Sequence, residues 1–160
     1  MAICPGCGLK LESPTVELDE KYYASVECVI LLYELSFYTL SLQTEDFIHQ
    51  LVVDTYAAQH VGPNSKPITV FFALIGLYLT FENGYTGKQV QGVHMLLANT
   101  RRNWPSFTKP SVNATVTILD VVLALPSVSR TRKIREWGQA VWRIWEPEHK
   151  RIAEAARSYL

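Results

Sequence analysis

The side chains most able to do chemistry stand at the start of the chain. Cys4 and Cys7 flank the dipeptide Pro5-Gly6 in the run CPGCG. Zinc binds thiolate sulfur at about 2.3 Å, and a tight turn with two intervening residues can aim both sulfurs at one ion. Pro5 presets such a turn, while Gly6 and Gly8 tolerate the positive φ that it can require. The pattern predicts a zinc knuckle that supplies two of four ligands.

The same spacing also fits a redox pair or two inert thiols. Thioredoxin-like CxxC motifs follow a strand and open a helix. No strand is predicted before Cys4, and an irregular arm follows it, so the redox interpretation is disfavoured. The zinc interpretation then needs two more ligands from one cysteine and four histidines: Cys28, His49, His60, His94 and His149.

The two histidines of the second predicted helix cannot both complete one zinc site. His49 and His60 lie on nearly the same helix face, but they are roughly 16 Å apart along the axis. His60 ends the helix, where it could meet the arm or simply interact with the helix dipole. His49 is in register with Val53 and Tyr56, which is also typical of a core histidine. We predict ligands among Cys4, Cys7, Cys28 and His60, with His49 as the alternative histidine.

The remaining candidates each have a structural alternative. Cys28 falls within the first predicted helix, where a lone cysteine is often a small core residue. His94 lies in the middle of a helix and is expected to be structural. His149 follows Trp142 and Trp145 on the aromatic stripe of the last helix. Such a stripe is more often core than ligand pocket.

Composition argues against several classes of partner. Fifteen basic and fifteen acidic residues cancel, so neither nucleic acid nor an anionic membrane is an expected partner.

Three cysteines fit a reducing compartment better than a disulfide framework. Acidic residues precede any apolar run, so no signal peptide is expected. The longest apolar stretch, 68–81, falls short of the roughly 20 residues that span a bilayer. We predict a cytoplasmic protein.

Pro and Gly divide the chain into helical blocks. After an irregular cysteine-containing arm over residues 1–18, helices are predicted at 19–41, 45–60, 67–82, 87–102 and 129–159. Thr44 can cap the second, Thr86 and Gln89 form a capping-box pattern for the fourth, and Pro147 can bend the last. Residues 112–125 favour either a strand or a short helix. The prediction is one all-α domain over residues 1–160, a compact antiparallel bundle of about five to six helices. The apolar third helix is expected to be buried in the monomer or partly in a homodimer interface.

Three stretches, in this order, resemble a family of small bacterial proteins catalogued as a domain of unknown function. They are CPGCG, HQLVVDTYAAQH and REWGQAVWRIWEPEH. This chain has Tyr33 where the family often has His, and Val61 where it has Pro. The resemblance implies no reaction, but it draws attention to Cys28 and His60 as partners of the knuckle. Carried over to this chain, the pattern falls on Cys4, Cys7, Gly8, Cys28, Glu34, His49, Asp54, Tyr56, Gln59, His60, Trp137, Trp142, Trp145 and His149.

Two metal-dependent functions fit these residues. In the first, four protein ligands form a closed structural zinc site in a non-catalytic helical module. In the second, the metal keeps an open position for catalysis, with Asp54, Glu34 or His49 as acid or base. No HExxH motif and no Gly-rich phosphate loop supports the enzyme. Asp54 could instead orient a ligating histidine or lie on a solvated face. We favour the structural site.

A third function is binding of a small molecule that the sequence does not identify. Aromatic side chains of the second and last helices could line a pocket for it, although packing in the core is the simpler role. The residues expected near the metal or around this pocket are Asp54, Tyr56, Gln59, Trp142, Trp145 and His149.

Overall fold

The computed structural model describes residues 1–100 and 103–160. Within these residues the chain is mostly helical, which confirms the predicted secondary-structure class. The elements in chain order are β1 (Ala2–Ile3), β2 (Lys10–Leu11), α1 (Val26–Ser41), α2 (His49–Gln59), α3 (Pro67–Asn83), α4 (Gly87–Ala98), α5 (Ile118–Leu123), α6 (Val128–Ile144), a 3₁₀ turn (Glu146–Glu148) and α7 (His149–Tyr159). The predicted end of the fourth helix, Arg102, lies outside the described residues.

The N-terminal arm contains a small antiparallel hairpin. Ala2 pairs with Leu11, and Ile3 pairs with Lys10, so the CPGCG stretch lies within the connection between the two strands. The prediction of an irregular arm missed this hairpin, because strands of two residues carry no measurable alternation of polar and apolar positions. A hairpin this short is not stable by itself, so its attachment to the helices matters.

Helix α2 lies at the centre of the fold. It packs against α1, α3, α4 and α6, and eight of its 11 residues are buried. A helix surrounded in this way has no solvated face, so its polar side chains must find partners inside the protein. Asp54 and Gln59 do so, whereas the buried hydroxyl of Thr55 has no hydrogen-bond partner among the described residues.

The first two helices begin later than predicted. Asp19 Oδ2 accepts hydrogen bonds from the backbone N–H of Lys21 and Tyr22, each at 2.9 Å, and forms a turn instead of a helix start. Ser25 then caps α1 by accepting the Cys28 N–H at 3.1 Å. Before α2, Phe47 has a φ of 46°, which breaks the helix predicted from residue 45.

The chain between residues 112 and 159 forms three helices. Thr117 N–H donates to Asp120 Oδ2 at 2.7 Å in a capping box, and this cap starts the short helix α5. The last predicted helix is divided by the 3₁₀ turn that contains Pro147, since proline lacks an N–H group for the helical hydrogen bond. The described residues therefore contain seven helices, where five to six were predicted.

Helix α3 uses its apolar surface inside the monomer. Val70, Phe71, Leu74, Ile75 and Leu77 are each 4% exposed or less, and the helix packs against α2, α4, α6 and α7. No helix among the described residues is long and apolar enough to cross a lipid bilayer.

Candidate metal centre

The CPGCG stretch folds into a tight turn that holds two thiols together. Cys4 N–H donates to Leu9 O at 2.8 Å, and Gly8 N–H donates to Cys4 O at 2.9 Å. Gly8 has a φ of 78°, a conformation in which glycine avoids the strain of a side chain. Both sulfurs, those of Cys4 and Cys7, are buried.

Four potential metal ligands meet beneath this turn. The ligand atoms of Cys4, Cys7, Cys28 and His60 all lie within 4.8 Å of one another, and all four residues are buried. Cys7 Sγ is 3.9 Å from Cys28 Sγ, and Cys28 Sγ is 3.4 Å from His60 Nε2. Ligand atoms around a tetrahedral zinc lie about 3.5 to 3.8 Å apart, given Zn–S and Zn–N bonds of about 2.3 and 2.1 Å. The cluster is therefore compatible with a metal ion at its centre.

Three separate segments supply these ligands. The hairpin carries Cys4 and Cys7, the first turn of α1 carries Cys28, and His60 is the C-terminal cap of α2. Among the described residues the three cysteines are free. A metal held by all four residues would join the N-terminal hairpin to both helices.

Hydrogen bonds orient the ligands toward a common point. His60 Nδ1 lies 2.8 Å from the Tyr56 carbonyl oxygen, which can only accept, so Nδ1 carries a proton and Nε2 is the nitrogen that faces the thiols. Metal-bound histidines are commonly held in this way by a carbonyl on the other nitrogen. The Tyr56 ring stacks on the His60 ring with centroids 3.9 Å apart.

Two donors point at the sulfurs themselves. Tyr56 OH donates to Cys28 Sγ at 3.3 Å, and the Ser25 N–H donates to Cys4 Sγ at 3.5 Å. Burial raises the pKa of Tyr56 above its ordinary value, so the phenol stays protonated and remains a donor. Donors to sulfur stabilise thiolate, the form in which cysteine binds metal.

The three thiols do not ionise independently. Interaction with Cys28 and then with Cys7 lowers the pKa of Cys4, so the first negative charge is readily formed there. The hydrogen bond with Cys28 lowers the pKa of Cys7, but Cys4 and burial outweigh it and raise the pKa to about 12. Interaction with Cys4 raises the pKa of Cys28. A divalent cation among the sulfurs would offset this repulsion and favour deprotonation of all three.

Gly6 allows the hairpin to lie directly on the end of α2. A Cβ atom at this position would be 2.4 Å from Tyr23 O and 2.5 Å from His60 Cδ2. The sequence suggested only a turn requirement for Gly6, whereas its role is this close approach to other segments. Lys109 is a second contact that the sequence did not reveal: its ammonium donates to Gly6 O at 2.8 Å.

His49, the alternative histidine, lies outside this group of ligand atoms. Its Nδ1 is 2.9 Å from Thr39 Oγ1, and burial lowers its pKa. His94 is also hydrogen-bonded elsewhere, with Nε2 2.8 Å from Phe72 O. Glu34 is exposed on α1.

The tryptophans and Gln59 join α2 to the C-terminal helices. Gln59 Oε1 accepts from Trp137 Nε1 at 2.9 Å, and its Nε2 donates to Val116 O at 3.0 Å. Trp145 Nε1 donates to Ala58 O at 3.1 Å. These bonds satisfy polar groups in the core, which explains how a glutamine can be fully buried in α2.

Trp142 and His149 pack against each other near the C-terminal end of α6. Trp142 Nε1 donates to Glu82 Oε1 at 2.8 Å. The His149 ring stacks on the Trp142 ring at 3.8 Å between centroids, and its Nε2 lies 2.8 Å from the Trp142 carbonyl. With Tyr56, Trp142 and Trp145 each 2% exposed or less, the proposed aromatic residues are packed into the core.

Asp54 is buried against α3, away from the thiols. Its side chain fills the space left by Gly76, where a Cβ atom would be 1.9 Å from Asp54 Oδ2. Gln50 Nε2 donates to Asp54 Oδ1 at 3.1 Å. Burial raises the pKa of Asp54 well above its ordinary value, and the Gln50 hydrogen bond opposes this only in part.

The raised pKa of Asp54 predicts a stability that falls with rising pH. Between the ordinary pKa of 3.8 and the higher folded value, the unfolded chain has lost this proton while the folded chain retains it. The folded state then binds more protons, so unfolding becomes easier by up to about 1.4 kcal/mol per pH unit in that window. We expect Asp54→Asn to flatten this dependence in urea unfolding measured across pH. Glu34→Gln, at an exposed carboxylate, should retain it, and parallel profiles for wild type and Asp54→Asn would contradict the assignment.

The fold and the site together define a mostly helical protein with a buried cluster of three cysteines and one histidine. This chain belongs to the family of unknown function DUF5946, whose model matches residues 2–146. The match confirms the resemblance to an uncharacterised family, and it spans the hairpin, the cluster and α6. No curated protein and no solved structure matches the chain.

Proposed function

We propose that this protein is a non-catalytic helical module whose N-terminal hairpin is attached to α1 and α2 by a structural zinc ion. The ligands are Cys4, Cys7, Cys28 and His60. The observation that carries the proposal is the convergence of their four buried ligand atoms within 4.8 Å of one another. Four protein ligands close a tetrahedral shell and leave no position for water, as in structural zinc sites.

The donor set favours zinc over magnesium and calcium. Three thiolates and one imidazole suit a tetrahedral, borderline-soft ion. Magnesium and calcium prefer oxygen ligands, which the cluster does not offer. Buried cysteines used as metal ligands also suit a reducing compartment, and we place the protein in the cytoplasm on that ground.

The catalytic alternative has less support. An enzyme would need an open coordination position and an acid or base beside it. Asp54, Glu34 and His49, the candidates for that role, are not part of the ligand group. Asp54 packs on α3, Glu34 is exposed, and His49 contacts Thr39.

The ligand assignment is tested by metal content. His60→Ala removes one ligand, while His49→Ala removes a histidine of the same helix that lies outside the cluster. For protein purified without added zinc, we expect about one zinc per chain in wild type and in His49→Ala, and a large loss in His60→Ala. Elemental mass spectrometry measures this ratio. Full occupancy in His60→Ala together with loss in His49→Ala would reverse the assignment, and metal-free wild type would refute the proposal.

A further inference from the structure

A cavity of about 440 Å³ lies next to the cluster. One wall is the chain that follows His60 and enters α3, and the other is the segment ending at Lys109. Tyr23 also lines it, and the Tyr23 N–H donates to His60 O at 3.1 Å. Its volume is within the range of small-molecule sites, about 300 to 1,000 Å³.

The cavity has an apolar lining and one charged group. Val61, Pro63, Val70 and Phe107 supply the apolar part, and Lys109 is the only charged residue among the described residues that line the cavity. Hydroxyl groups of Ser65, Ser106 and Thr108 complete the lining. No carboxylate is among the described residues that line the cavity. A few polar groups in an apolar setting are typical of a site that orients an organic ligand.

The Lys109 ammonium has donors to spare. Among the described residues it makes one hydrogen bond, to Gly6 O at 2.8 Å, whereas an ammonium carries three N–H groups. Within the described part of the chain, its side chain forms no ion pair. Cys7 and Cys4 interact favourably with this charge from the cluster side. No carboxylate among the described residues faces it from the cavity, and partial desolvation strengthens its interaction with an incoming anion.

We propose that this cavity binds a small organic acid with one carboxylate and an apolar or aromatic body. The carboxylate accepts from Lys109, and the body lies against Val70 and Phe107. A single ammonium balances one negative charge, whereas a phosphate group carries about −1.5 to −2. Helix α3 begins at this cavity, but its first residue, Pro67, has no N–H to offer a phosphate. The ligand class is therefore a monocarboxylate.

Contacts at the two sites overlap. Lys109 holds the carbonyl of Gly6, inside the CPGC turn, and Val61 directly follows His60. Two residues that would contact the ligand are therefore close to proposed zinc ligands. Lys109 is bonded to Gly6, the neighbour of Cys7, and Val61 is the neighbour of His60. Cavity binding does not itself require the metal, so the two proposals can fail separately.

Phenylacetate and its neutral analogue phenylacetamide test the charge requirement. Both are titrated into full-length protein, with binding followed by calorimetry and by backbone amide shifts of residues 61–70 and 106–109. Lys109→Met should weaken phenylacetate binding by roughly tenfold or more and leave phenylacetamide binding unchanged. Lys133→Met, at a partly exposed lysine of α6 that pairs with Glu136, should change neither.

A second variant makes the result independent of Lys109. Thr108 is exposed at the cavity, so Thr108→Trp should block it without altering charge and abolish binding of both probes. Zinc content and thermal unfolding of each sample show whether the cluster and the fold are intact. Wild-type phenylacetate binding weaker than about 10 mM, binding retained in Thr108→Trp, or equal losses of both probes in Lys109→Met would overturn the inference.

Discussion

Chelation of the metal is expected to detach the N-terminal hairpin and to lower the melting temperature by roughly 10 °C or more. The hairpin has two residues per strand, which is too little to persist unaided. A ligand that binds only the folded state stabilises it by RT ln(1 + [L]/Kd), and structural zinc binds tightly enough for this to reach several kcal/mol. Without the ion, three buried thiols would be left in contact, and release of the hairpin removes two of them, Cys4 and Cys7, from the helices.

After metal removal, the structure of the hairpin should be lost before the whole protein unfolds. Hydrogen exchange should accelerate at the Cys4, Gly8 and Tyr23 amides, whose bonds hold the turn and join the arm to His60. Amides of α3, in the core, should stay protected until global unfolding. Restoring zinc should raise the melting temperature again and slow exchange at the hairpin amides. In His60→Ala, which is expected to lack most of its zinc, the chelator should change neither quantity much. Equal melting temperatures and unchanged hairpin protection after verified metal removal would contradict a structural role.

Gly6→Ala is expected to disrupt the centre although it removes no ligand. The added Cβ would lie 2.4 Å from Tyr23 O, 2.5 Å from His60 Cδ2 and 2.9 Å from His60 Cα. Two of these three neighbours are backbone atoms, so a rotamer change cannot relieve the overlap. The hairpin must therefore move away from His60, and we expect zinc occupancy to fall to a minor fraction.

Gly92→Ala is the matched control for this substitution. Gly92 lies in α4, and a Cβ there would have no neighbour within 4 Å. Alanine in an exposed helix is favoured over glycine by about 0.5 to 1 kcal/mol, so this variant should keep its zinc and unfold slightly later. Metal analysis and thermal unfolding compare the two variants. Full zinc occupancy in Gly6→Ala would show that the hairpin does not lie as described.

Local sequence signals predicted much of the helical framework. The capping pattern at Thr86 marks a helix that the structure contains, and Pro147 marks the division of the last predicted helix. These signals involve residues only a few positions apart, so they can be recognised from the sequence without knowledge of the fold. The starts of α1 and α2 were predicted too early, because side-chain periodicity extends through turns that Asp19 and Phe47 create.

The candidate site was only partly predictable. Helix geometry alone showed that His49 and His60 cannot share an ion, and the structure places them in separate surroundings. The approach of Gly6 to Tyr23 and the contact of Lys109 with Gly6 join segments remote in sequence. No local pattern encodes such contacts. Asp54 illustrates the same limit, since its burial follows from helices that surround α2 on every side.

X-ray absorption at the zinc edge tests the central claim most directly, using protein expressed without added zinc. The account predicts three sulfur ligands at about 2.3 Å, one nitrogen at about 2.0 to 2.1 Å, and no oxygen ligand. The His60→Ala variant, if it retains any metal, should lose the nitrogen contribution. A metal-free protein, or a zinc ion with fewer sulfurs and a bound water, would contradict a closed structural site formed by Cys4, Cys7, Cys28 and His60.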